Sequence, residues 1–130
     1  MSRLLYFTIS SFLFFSCKND KQAASPGPTC PDTTNITYSA VVTPILAGNC
    51  YSCHGTNSNA GSGGIILQDY SVIKTYAIAT SLDGSTGSKL YGNITHAGSP
   101  YVNMPFGGGQ LSDCDIKKIK IWINAGAPNN

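Results

Sequence analysis

Apolar residues fall at helical spacing in four stretches of the chain. From Ile36 to Asn49 the apolar face is Tyr38, Val41, Val42, Ile45 and Leu46. Pro44 lies inside that stretch, has no amide hydrogen and would cost about 3 kcal/mol in mid-helix. The pattern therefore predicts a helix broken near Thr43-Pro44, or two short turns. Asp69 is placed to cap a second helix, in which Val72, Ile73, Tyr76 and Ala77 share a face. Ser88 to Thr95 reads as a third, with Leu90, Tyr91 and Ile94 turned inward. The fourth gives the clearest signal. Ser112 with Asp115 three residues on resembles a capping box with a shortened acid. Ile116, Ile119, Trp122 and Ile123 form the stripe, Gly126 ends it, and Pro128 lies beyond. Between these stretches, Gly55–Gly64, Ser81–Gly87 and Pro100–Gly109 are rich in turn residues and read as loops. No strong strand pattern precedes Cys50, and the expected fold is all-α.

The beginning of the chain follows another logic. Arg3 precedes an apolar run from Leu4 to Phe15, shorter than the roughly 20 residues that span a bilayer. It ends at Ser16-Cys17, after which Lys18-Asn19-Asp20-Lys21 restores polarity. A small residue directly before a cysteine at that boundary resembles the bacterial lipoprotein processing site, with Phe14 where leucine is usual. The expectation is a signal peptide over 1–16 and lipidation of Cys17; an ordinary secretory signal is the alternative, and either route exports the chain. Lys18 to Asn35 lacks apolar periodicity and reads as a flexible linker of roughly 20–25 Å. Residues 17–35 would thus be anchor and tether, and 36–130 the globular domain. The chain has 130 residues, 11% of them charged, with a net charge of +2 and no long basic run. That balance gives no reason to expect nucleic acid as a partner. Lys117, Lys118 and Lys120 lie off the last apolar stripe and read as a solvated face, or alternatively as a patch for an acidic partner.

The chemistry is concentrated at Cys50-Tyr51-Ser52-Cys53-His54, the C-x-x-C-H pattern of covalent c-type haem attachment. Two thiols at that spacing can add to the two vinyl groups of one haem, and the adjoining imidazole is carried to the iron. A second axial ligand must come from elsewhere. Once the signal is removed, Met104 is the only thioether and His96 the only other imidazole. Met104, followed by Pro105 in a loop between helices, is the favoured ligand, and His96 is the alternative. Five cysteines are present. With Cys17 assigned to lipid and Cys50 and Cys53 to haem, Cys30 and Cys114 remain as an even pair. In an oxidising compartment they are expected to form a disulfide; two free thiols are the alternative.

With these residues in place, the chain resembles a small single-haem cytochrome c domain over about residues 36 to 128. Tyr38, Pro44, Ile45, Leu46, Cys50, Cys53, His54 and Gly55 are similar to that family's opening. Ser88, Leu90, Tyr91 and Ile94 are similar to its middle element. Met104-Pro105, Gly107, Leu111-Ser112, Ile116, Ile119, Trp122-Ile123 and Gly126-Ala127-Pro128 are similar to its ending. Phe106 stands where a second proline is common, and Cys114 where an acid is common. The resemblance implies about four short helices around one covalently attached haem, with His54 and Met104 as the axial pair. Together with the lipoprotein-like start of the chain, it implies a non-enzymatic, membrane-tethered one-electron carrier between redox proteins on the periplasmic side of a membrane or the cell surface. A haem-based ligand-binding or sensing domain with an open distal position is the alternative. A thiol–disulfide protein would need a strand leading into the C-x-x-C at a helix start, and zinc would need a second ligand pair; neither pattern is present.

Overall fold

The structure is a computed structural model in which residues 29–57, 62–78 and 87–130 are described. The stretch expected to be a signal peptide, Cys17 and most of the expected linker lie outside the described residues, as do parts of the first two loops. Among the described residues all regular structure is helical. A π-helical turn, Tyr38–Val42, runs into α1 (Thr43–Asn49), and α2 (Tyr51–His54) follows after Cys50. Then come α3 (Tyr70–Ile78), α4 (Lys89–Ile94) and α5 (Asp113–Asn124). No helix among the described residues is long and apolar enough to cross a membrane.

The first apolar stretch shows how the chain accommodates its proline. Thr37 Oγ1 accepts from the Ala40 amide, and the amides of Val42 and Thr43 reach back five residues, to the carbonyls of Thr37 and Tyr38. This wide turn places Pro44 in the first turn of α1, where its missing amide hydrogen leaves no internal bond unmade. The two segments run on without a separating loop, so the break expected at Thr43-Pro44 is a change of helical pitch.

The core forms where α5 meets the π turn and α4, with α3 packed on α4. Trp122, Leu46, Ile73, Ile119 and Val42 are fully buried. Tyr38 stacks on Trp122 with ring centroids 5.5 Å apart and meets Tyr70 edge-on at 5.1 Å, arrangements that favour aromatic pairs beyond their buried area. The C-terminal tail closes this end. Trp122 Nε1–H donates to the Pro128 carbonyl at 2.9 Å, and Tyr70 O–H donates to the Ala127 carbonyl at 2.8 Å. Asn130 accepts the Tyr38 and Ser39 amides through its side chain and its backbone carbonyl respectively. The buried indole N–H is thereby satisfied by residues that follow the helix itself.

Caps set the helix starts. Asp69 accepts both the amide and the hydroxyl of Ser71 at 2.7 Å, as its N-cap position requires. Ser88 Oγ accepts from Tyr91 N–H. At α5, Ser112 Oγ accepts the Asp115 amide at 3.1 Å and donates to the Asp115 carboxylate at 2.7 Å. The acid binds the serine hydroxyl and not the serine amide, because aspartate is one methylene shorter than the glutamate of a full capping box. Cys30 and Cys114 are disulfide-bonded, with Cα atoms 5.3 Å apart, which pins the chain before the first helix to the start of α5.

Candidate functional site

A cleft of about 450 Å³ opens between the α1–α2 junction, the 65–67 segment, α4 and the 104–111 loop. That volume lies within the range of small-molecule and cofactor sites. Its walls bring together Cys50, Cys53, His54 and Met104, four residues drawn from two sequence regions about fifty positions apart. Ile65, Leu67, Leu90, Ile94 and Leu111 supply apolar surface, and Phe106 stands at the rim, 85% exposed.

The cysteine-histidine stretch is shaped by α2, a single helical turn that sequence periodicity could not reveal because it is shorter than one amphipathic repeat. The Cys50 amide still donates to Leu46 of α1, and the Cys53 and His54 amides donate to the Cys50 carbonyl. Cys50 thus belongs to both turns, with its thiol partly buried and that of Cys53 exposed. Burial pushes the Cys50 thiol up to about 11, because the thiolate would lose its water. Tyr51, between the two cysteines, is pushed up to about 12, first by burial and then by its neighbour Tyr38. Gly55 ends the turn; a Cβ there would lie 2.5 Å from the Tyr51 carbonyl oxygen, so the chain can leave the motif in this direction only without a side chain.

His54 is held at two points by the segment that follows the loop. Its carbonyl accepts the Leu67 amide at 2.9 Å, and its Nδ1 lies 3.0 Å from the Ile65 carbonyl. A carbonyl can only accept, so Nδ1 carries the hydrogen, and the tautomer this selects has its lone pair on Nε2. This outer contact is the kind that fixes a ligating imidazole's tautomer and plane.

Met104 is held in a parallel way by α4. Its amide donates to the Asn93 carbonyl at 3.0 Å, and its carbonyl lies 3.0 Å from His96 Nε2. Asn93 Oδ1 also accepts the Val102 amide, and Gln110 donates to the Thr95 carbonyl. His96, the alternative ligand by sequence, lies outside the cleft lining and contacts Met104 through the backbone. The roles of Ile65, Asn93 and His96 rest on contacts to backbone carbonyls and amides eight or more positions away, for which a single sequence carries no signal. Among the described residues, no group of three or more His, Cys, Asp or Glu side chains is placed to cage a metal ion. The cleft instead offers one imidazole and one thioether on an apolar lining, together with two thiols able to form carbon–sulfur bonds. No protein-family model, curated protein or solved structure matches the chain.

Proposed function

We propose that this chain is an exported, membrane-tethered c-type cytochrome that carries single electrons between redox proteins. The observation that carries the proposal is the meeting of Cys50, Cys53, His54 and Met104 in one apolar cleft. The donor set suits haem. An imidazole and a thioether are side chains that can both ligate haem iron, and the apolar walls suit a flat hydrophobic ring. Cys50 and Cys53 would hold the ring by thioether bonds, and His54 and Met104 would ligate its iron. When bound, haem supplies a ferric/ferrous couple, and His/Met ligation raises its potential.

The protein's own residues prepare this site. The Ile65 carbonyl keeps the His54 Nε2 lone pair available, and Leu67, Leu90, Ile94 and Leu111 keep water from the cleft wall. With His54 and Met104 both ligating the iron, no position would be left for a substrate, and the chain would act as a carrier and not as an enzyme. Electrons would pass at the open side of the cleft, beside Cys53 and Phe106, both exposed. Acylation at Cys17 and the linker after it would keep the domain near membrane partners and raise its effective concentration there. This haem domain would be a cytochrome c-like fold of short helices.

The test is an optical spectrum of protein produced with cytochrome maturation machinery. A weak sulfur-to-iron band in the ferric state, and a six-coordinate ferrous state that takes carbon monoxide only slowly, are expected. Five-coordinate, high-spin ferrous iron that binds carbon monoxide readily would replace the carrier by a ligand-binding or sensing haem protein.

A further inference from the structure

We infer that His96 is a positioning residue for Met104, holding the methionine in the cleft through its backbone carbonyl. The inference rests on the proposed cytochrome function. His96 sits just beyond α4 in the left-handed region, with φ of 53°, a conformation that non-glycine residues adopt at a cost. That turn brings Nε2 to 3.0 Å from the Met104 carbonyl, eight residues on. Because the carbonyl only accepts, Nε2 carries the hydrogen and donates.

The same peptide is bound on its other side, where the Met104 amide donates to Asn93. Both polar groups of Met104 are therefore tied to the end of α4, and the side chain is the part left to face the cleft. The residues around it do not replace this hold. Val102 and Asn103 are exposed, as are Phe106 through Gln110, and Gly107 has a positive φ. The loop's direction is set by the contacts of Asn93, His96 and Gln110. A histidine that sequence inspection offers as a ligand acts here one step removed, by fixing where the thioether stands.

The experiment compares haem-loaded wild type with His96→Gly, His96→Asn and His96→Gln. Glycine removes the donor and relieves the positive φ. Asparagine tolerates that φ, but its amide is too short to reach. Glutamine keeps an N–H donor at about the distance of Nε2. The readouts are the ferric sulfur-to-iron band and the affinity of the ferric protein for added imidazole, which competes with Met104. The glycine and asparagine variants are expected to show a weakened band and to bind imidazole about fivefold more tightly, as loss of one hydrogen bond implies. The glutamine variant is expected to return towards wild type on both readouts. Wild-type behaviour of the glycine and asparagine variants, or a glutamine variant as defective as they are, overturns the role of His96 and leaves the haem site standing. Wild-type protein that binds haem covalently but lacks the band, or that carries no covalent haem, overturns the site and this inference together.

Discussion

Breaking the Cys30–Cys114 bridge should be the largest single loss of stability outside the core. The perturbation is the double change Cys30→Ser with Cys114→Ser. Both residues are only half-buried, so little apolar contact is lost, and the effect falls mainly on the unfolded chain. The bridge spans 84 positions, and closing a loop of that length contributes about 4.5 kcal/mol in the chain-entropy model. The native state returns part of this. Thr29 and the residues from Pro31 to Asn35 are mostly exposed and outside regular structure, so once released they regain freedom. The net cost should be about 2–4 kcal/mol, or roughly 10–25 °C in Tm for a domain of this size. Urea unfolding followed by the fluorescence of Trp122, the only tryptophan and fully buried, measures it directly. Wild type treated with reductant should match the double variant. A double variant that unfolds at the same midpoint and slope as oxidised wild type would refute the reasoning.

Other outcomes follow from single positions. Gly92 lies inside α4 against the ring of Tyr101, and a Cβ there would stand 2.2 Å from the nearest ring carbon. Gly92→Ala should destabilise the domain by about 1–3 kcal/mol in thermal melts, although alanine normally favours a helix interior by about 1 kcal/mol. In haem-free protein, Cys50 should alkylate slowly at pH 8, since a thiol pushed up to about 11 is roughly one part in a thousand thiolate there. Its labelling rate, followed by peptide mass spectrometry, should climb steadily between pH 8 and pH 11, and a rate that levels off below pH 9 would contradict this. Trp122→Ala should cost about 3–5 kcal/mol in urea unfolding, from the cavity left beside Tyr38.

The helices were largely legible in the sequence because each buries one face of a periodic stripe. Ile116, Ile119 and Trp122 are buried where the spacing placed them, as are Ile73 with Ala77 and Leu90 with Ile94. What escaped were features decided at a distance or within a single turn. The α2 turn is too short to carry a period. The proline is absorbed by a widened turn before it, which depends on backbone bonds from Thr37 and Tyr38. The tail from Ala127 to Asn130 carries no periodic pattern, yet it satisfies Trp122, Tyr70 and the amides of Tyr38 and Ser39. In the cleft, Cys50, Cys53, His54 and Met104, which the structure brings to its walls, were readable as candidates from residue type and spacing. The carbonyls and amides that aim them were not, because every residue carries such groups and only the fold selects which ones meet.

The most direct measurement is a haem stain of the denatured protein on a gel, after expression with cytochrome maturation machinery. Wild type is expected to stain, Cys50→Ala and Cys53→Ala to stain weakly or not at all, and the Cys50→Ala, Cys53→Ala double variant not at all. Wild type that carries no stain, while the same cells load haem onto a control cytochrome, would contradict the central proposal.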